Sequence, residues 1–131
     1  MNIGHYDFNK VVDYSYEEAL EKTKSALKEE GFGVLTEVDV KATLKKKLGK
    51  NFKKYMILGA CNPNFAYEAL KLEEELGLLL PCNVIVYEKE TSDVVVSSIN
   101  PEKALNIAGN EKLLKVANQV SEHLKGVIEK I

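Results

Sequence analysis

The chain contains only two cysteines, and each is followed directly by an asparagine, at Cys61-Asn62 and at Cys82-Asn83. The thiolate is the reactive form of cysteine, and the first amides of a helix favour it. Cys61 fits that placement, because an apolar run before it predicts a strand and Asn62-Pro63 predicts a helix start. Cys82 begins a second apolar run. One hypothesis is therefore a thiol-dependent enzyme or redox sensor, in which Cys61 reacts and Cys82 is the resolving thiol.

A structural interpretation of the same residues stands beside the chemical one. Free cysteines are usually small buried apolar side chains, Asn62 can serve as a helix cap, and Asn83 can brace neighbouring backbone. Between these two interpretations lies a ligand pocket, for which Cys61, Asn62, Asn83 and Tyr87 are the candidate lining residues, with Cys82 as a further member of the site. Because 21 positions separate the two thiols, the sequence does not fix their distance.

Metal and catalytic motifs are missing from the sequence. His5 and His123 are the only histidines, and neither pairs with a cysteine at the close spacing typical of structural zinc sites. No nucleophile elbow, dinucleotide-binding glycine pattern or phosphate-binding loop occurs. We therefore expect no metal and no cofactor, we assign no catalytic residue, and we favour a non-enzymatic role.

A basic segment runs from Lys41 to Lys54, with seven lysines and no acid, so that it carries +7 while the rest of the chain carries −9. Lys41, Lys45, Lys46 and Lys47 lie on the polar side of a short predicted helix and form a candidate anion-binding patch. A solvated lysine face is the alternative. The apolar side of that helix is too narrow to hold a membrane alone, and the chain has no arginine for bidentate phosphate or guanine contacts. We expect neither a nucleic acid nor a membrane as partner.

Length and composition indicate one domain over residues 1–131. Hydrophobic residues make up 45% and charged residues 29%, which is ordinary for a globular protein. No apolar run is long enough to span a bilayer, and the first seven residues do not resemble a signal peptide. Together with the two cysteines, these features lead us to expect a soluble cytoplasmic protein.

Hydrophobic periodicity and capping residues predict the element order β-α-β-α-β-α-β-β-α. The predicted strands cover residues 5–12, 32–38, 55–60, 82–88 and 94–99. The predicted helices begin after Ser15, Asp39, Asn62 and Asn110, with a short helical piece after Asn100-Pro101. This order predicts an α+β fold in two layers, with helices packed on a mixed, largely antiparallel sheet.

Two of the predicted strands are apolar on both of their alternating faces, at residues 55–60 and 82–87. Such strands need cover on both sides, whereas a two-layer domain covers only one face of its sheet. A second copy of the chain can provide the missing cover. The sequence therefore predicts a homodimer.

Three segments carry a resemblance to a known family: GFGVLTEVD at 31–39, ILGACNP at 57–63 and LLPCNVIVY at 79–87. Together they resemble the prokaryotic domain-of-unknown-function family 302, and the similarity extends over nearly the whole chain. The resemblance implies a compact dimeric α+β domain with no established reaction or cofactor, and it assigns no catalytic residues. The function expected is that of a small homodimeric binding or assembly module. It would hold a small ligand near Cys61-Asn62 and Cys82-Asn83, called the two Cys-Asn steps below.

Overall fold

Capping side chains define where the helices begin in the computed structural model, which describes all residues from 1 to 131. The Ser15 hydroxyl accepts the Glu18 N–H at 3.1 Å, which satisfies one of the free amides of the first turn. The carboxamides of Asn62 and Asn100 accept helix N-terminal amides in the same way, each just before a proline. The caps predicted at these three positions are confirmed.

The elements follow in an order close to the predicted one. The strands are β1 (Asn2–Ile3), β2 (Asp7–Val12), β3 (Gly33–Asp39), β4 (Tyr55–Cys61), β5 (Cys82–Glu88) and β6 (Val94–Ile99). The α-helices are α1 (Tyr16–Glu29), α2 (Val40–Leu48), α3 (Pro63–Leu72), α4 (Pro101–Ala104) and α5 (Leu114–Lys130). Short 3-10 segments occupy Glu74–Leu79, Leu105–Ala108 and Glu111–Leu113.

Two helix boundaries differ from the prediction. Helix α3 ends at Leu72 instead of continuing towards Gly77, because Glu73 adopts an extended backbone conformation and a 3-10 segment follows. Three consecutive glutamates at the negative end of a helix dipole oppose further α-helical turns. The last helix does not begin directly after Asn110, since a 3-10 turn precedes Leu114.

The sheet has six strands in the order β1-β2-β6-β5-β4-β3, and every neighbouring pair is antiparallel. The two-layer α+β class is therefore confirmed, and the sheet is wholly antiparallel where a mixed one was allowed. The β5–β6 hairpin is present as predicted, and Ser92 takes a positive φ of 73° in its turn. β1 was not predicted, because a two-residue strand is too short to show alternation.

One face of the sheet packs against α1, α3 and α5 and forms the main core, to which Leu58, Val84, Val86, Leu124 and Ile128 contribute fully buried side chains. The opposite face, called the open face below, receives no helix of the main core. Its register brings four apolar side chains together on neighbouring strands: Ile57, Ile85, Tyr87 and Val95. No helix has the length and apolarity to cross a membrane.

Candidate functional site

A cleft of about 310 Å³ opens where the ends of β4 and β5 meet α3, and we call it the strand-end cleft. Ala60 of β4 pairs with Cys82 of β5, so the floor of the cleft is fixed by the sheet register. Residues of α5 and of the segment before β5 complete the walls. The two Cys-Asn steps lie at this end of the sheet.

The lining of the strand-end cleft is apolar. Thirteen of its sixteen residues are hydrophobic, and none carries a charge. The largest apolar side chains in the lining are Phe32, Leu35, Phe65, Leu70, Leu80 and Leu105. A cleft of this size and composition is at the small end of the range for ligand pockets.

A β-bulge places one of the lining residues at the opening of the cleft. The register between β3 and β4 shifts between Val34 and Thr36, which leaves Leu35 without a partner on β4. Bulges redirect a side chain out of the regular alternation. Leu35 lines the cleft although its side chain is 67% exposed, so it lies where the cleft opens to solvent.

Phe65 is positioned by the cap of α3. The Asn62 carboxamide oxygen accepts the backbone N–H groups of Asn64 at 3.2 Å and of Phe65 at 3.4 Å. The Phe65 ring lines the cleft and also contacts the imidazole of His123, with 5.4 Å between ring centres. Asn62 therefore orients the first turn of the helix that covers the cleft.

The two thiols lie on adjacent strand ends and are not bonded to each other. Cys82 is buried, and this burial, with a smaller contribution from nearby Cys61, raises the pKa of the Cys82 thiol to about 11. A thiol with that pKa is protonated at neutral pH and is a poor nucleophile. Cys61 lies one residue beyond the Ala60–Cys82 pair and is partly buried. The site thus gives Cys82 the surroundings of an apolar core residue and not those of a resolving thiol.

Few polar groups are available to a ligand in the cleft. The oxygen of Asn62 is engaged by the α3 cap, and its amide nitrogen lies so near Gly31 that an added Cβ there would be 3.0 Å from it. No acid, lysine or histidine lines the cleft. The arrangement suits the binding of a neutral apolar molecule, and its only titratable side chains are the two thiols.

The structure brings together three of the five residues predicted for the ligand or thiol site: Cys61, Asn62 and Cys82 all line the strand-end cleft. The other two lie elsewhere. Asn83 is exposed and pairs with Gly59, on the face opposite to Cys82. Tyr87 lies on the open face, where its ring stacks on Tyr55 with 5.3 Å between centres.

The predicted anion patch is separate from the cleft. Lys41, Lys45, Lys46 and Lys47 are exposed on α2, and no residue of α2 lines the strand-end cleft. Helix α2 contributes no buried residue. The patch and the cleft are therefore two independent surfaces.

Several cleft residues were not singled out from the sequence. Phe65, Ala66 and Ala69 belong to the apolar stripe of α3, which indicates only that this helix packs on something. Leu35 was assigned to a regular strand, and no residue pattern marked the bulge that places it at the opening. The only sequence feature that could have pointed to the cleft is the apolar run before Pro81, because Leu80 of that run lines the cleft.

The fold and the site together define a class: an antiparallel α+β fold with helices on one face and an apolar cleft at the strand ends. The family model "Domain of unknown function DUF302" matches residues 8–131, and the chain belongs to this family. It is also similar to a solved structure, "Crystal structure of uncharacterized conserved protein DUF302 from Bacillus stearothermophilus". That similarity has a TM-score of 0.90 and 26% identity, and it covers 97% of this chain and 98% of the other. No curated protein matches this chain.

Proposed function

We propose that this chain is a binding module that holds a small, neutral, apolar molecule in the strand-end cleft. The observation that supports this function best is the cleft itself, which has ligand-sized volume, is apolar in thirteen of sixteen lining residues and is free of charged side chains. Apolar cavities that lack polar partners for water stay dry and take apolar ligands.

The volume restricts the ligand class. An apolar cavity of about 150 Å³ holds benzene, and the strand-end cleft measures about 310 Å³. A molecule of one to three rings, or a short branched alkyl chain, fits that space. Burial of about 200 Å² of aromatic ligand at about 25 cal/mol per Å² gives about 5 kcal/mol, which corresponds to a dissociation constant of about 0.2 mM.

A fluorescence titration tests this function. N-phenyl-1-naphthylamine is neutral and apolar, and its emission rises when it leaves water. We expect saturable binding to the wild type and at least about tenfold weaker binding to Ala66→Phe, because the added ring fills a volume that the probe needs. Ala66 lines the cleft and is partly buried.

The matched control is Ala42→Phe, which adds the same ring to an exposed position on α2 and should leave probe binding unchanged. Thermal unfolding of both variants establishes that each is folded. Equal probe affinity in wild type and Ala66→Phe, with both proteins folded, would show that the probe binds elsewhere and would remove the support for this function.

The same proposal includes a homodimer that forms through the open face. Val95 is only 4% exposed although it lies outside the main core, and its neighbours Ile57, Ile85 and Tyr87 are partly buried with no helix over them. Five strands about 4.8 Å apart and about 20 Å long give a flat area of about 500 Å². Because side chains make the surface uneven, its accessible area is larger than this flat area and approaches the roughly 800 Å² that each partner buries in a standard interface.

Light scattering after gel filtration tests the dimer. We expect twice the chain mass for the wild type at micromolar concentration and the mass of one chain for Ile85→Lys, because a charge at the centre of the open face cannot be buried without a partner. Ile107→Lys changes an exposed isoleucine that lies outside the sheet and should remain dimeric. A wild type that is monomeric over this range would contradict the dimer but not the ligand-binding function.

A further inference from the structure

The segment from Lys41 to Lys54 is basic along its whole length and is called the lysine patch below. It comprises Lys41, Lys45, Lys46, Lys47, Lys50, Lys53 and Lys54, and it contains no acidic residue. Apart from Lys54, which is partly buried, these lysines are exposed. The patch consists of helix α2 and the residues that join it to β4.

Neighbouring elements neutralise only one of these charges. The Lys54 ammonium pairs with Glu17 at 2.8 Å, and Glu88 lies near the same group. The other six lysines of the patch form no ion pair. Asp39 caps the far end of α2 through the Ala42 amide. The lysine patch therefore presents a dense positive field that the fold itself does not compensate.

Two apolar side chains lie exposed within the lysine patch. Leu48, at the end of α2, is 63% exposed, and Phe52, four residues later, is 40% exposed. Helix α2 buries no residue in the core. The exposed leucine and phenylalanine thus lie on the surface within a lysine-rich segment, an arrangement that suits insertion at a charged interface.

The main clefts of the molecule lie away from the lysine patch. None of the main clefts of the molecule is lined by a residue between positions 41 and 54. The partner that fits an exposed, basic, partly apolar surface outside these clefts is itself broad and negatively charged. The remaining chain carries −9 against the +7 of the patch, so a negative surface would attract only this side.

We propose that the lysine patch is a docking surface for an anionic lipid bilayer, with Leu48 and Phe52 inserted at headgroup level and the lysines near lipid phosphates and carboxylates. The expectation from sequence excluded a membrane, because the apolar stripe of α2 alone is narrow. Phe52 widens the apolar contact beyond the helix, and six uncompensated lysines add electrostatic attraction. The ligand in the strand-end cleft plays no part in this proposal.

Co-sedimentation of the full chain with vesicles tests the docking surface. We expect binding to phosphatidylcholine vesicles that contain phosphatidylserine, no binding to phosphatidylcholine alone, and loss of binding at high salt. Each lysine near an anionic surface strengthens binding about fivefold. The variant with Lys41, Lys45, Lys46 and Lys47 all changed to glutamine should therefore bind at least about 100-fold more weakly.

The control replaces an equal number of lysines outside the patch with glutamine, at positions Lys28, Lys103, Lys112 and Lys115. A second variant, Leu48→Ser with Phe52→Ser, keeps every charge and should weaken vesicle binding about tenfold, while binding to soluble polyglutamate stays unchanged. Failure of the wild type to bind anionic vesicles would overturn the proposal. So would equal vesicle binding by the Leu48→Ser, Phe52→Ser variant, because the partner would then be recognised by charge alone, as an acidic protein would be.

Discussion

At the scale of single residues, Cys82 packs as an apolar side chain of the core. Its burial raises its pKa to about 11 from an ordinary value of 9.0. Two pKa units reduce the thiolate fraction near neutral pH about 100-fold. The redox hypothesis needs Cys82 as a resolving thiol, and these surroundings oppose that role.

Alkylation rates test this difference. With iodoacetamide at about pH 8 we expect Cys82 to react at least about 100-fold more slowly in the native protein than in the unfolded chain, since thiolate is the reacting form. Mass spectrometry of tryptic peptides follows Cys61 and Cys82 separately. Similar native and unfolded rates for Cys82 would contradict its assignment to the core and would restore the redox pair as a hypothesis.

Gly59 of β4 is packed so closely against its neighbours that there is no room for a side chain. A Cβ at this position would collide with Thr36 Oγ1 and would lie 2.8 Å from Pro81 Cγ. We expect Gly59→Ala to lower the free energy of unfolding by about 1–3 kcal/mol, because β4 must shift against both neighbours. Urea denaturation measures this change.

Gly77→Ala is the matched control for that prediction, because a Cβ at Gly77 meets no atom within 4 Å. It should leave the free energy of unfolding within about 0.5 kcal/mol of the wild type. If Gly59→Ala proved as stable as Gly77→Ala, the close packing of β3 and Pro81 on β4 would be wrong.

The caps could be predicted from residue types, whereas the faces of the strands could not. Asn62 and Asn100 precede prolines, and that local signal is enough to locate a helix start. The prediction that Asn83 lines a pocket rests on its position in a core strand, where a buried amide needs partners, but adjacent residues of a strand point to opposite faces. Only the pairing of Gly59 with Asn83 shows which face Asn83 takes.

At the scale of elements, the ends of α1 and α5 are joined by one carboxylate. Glu30 directly follows α1, and its carboxylate accepts a hydrogen bond from the Lys130 ammonium at 2.8 Å. The same carboxylate lies 3.1 Å from His123 Nδ1. Hydrogen bonding from Lys130, with a further contribution from His123, lowers the pKa of the Glu30 carboxyl below its ordinary value of 4.5. The ionised carboxylate therefore stabilises the native state.

The pH dependence of unfolding follows from that shift. A carboxyl whose folded pKa is lowered contributes its full stability above 4.5 and loses it as the pH falls through the folded pKa. We expect Glu30→Gln to be less stable than the wild type at neutral pH and to lose less stability on acidification. Urea unfolding across the acid range measures both. Glu122→Gln, an exposed neighbour without an ion pair, should follow the wild-type profile, and a Glu30→Gln profile parallel to it would contradict the account.

Most elements were predictable because their signals are local. The β5–β6 hairpin follows from two β-branched runs around a polar turn, and the caps fix the starts of α1 and α3. What could not be predicted depends on partners distant in sequence. β1 exists only because it pairs with β2, and the bulge at Leu35 exists only in the register of β3 against β4.

At the scale of the whole molecule, three surfaces are distinct. The strand-end cleft lies between α3 and the sheet, the open face lies on the other side of the sheet, and the lysine patch follows α2 and its connection to β4. The strand-end cleft shares no residue with the other two surfaces, whereas the lysine patch adjoins the open face, because the Lys53 ammonium lies 5.3 Å from the centre of the Tyr87 ring. Fold class was predictable from element order, whereas the cleft was not, since it is assembled from residues that lie more than 80 positions apart, from Phe32 to Val120.

The most direct test of the ligand-binding function is a crystal structure determined under xenon pressure. Xenon enters apolar cavities of this kind and does not bind where ordered water fills the space. We predict a xenon site in the strand-end cleft, in contact with Phe65 and Leu80 and close to the Ala60–Cys82 pair. A cleft occupied by ordered water, or closed by its own side chains and without xenon, would contradict the proposal.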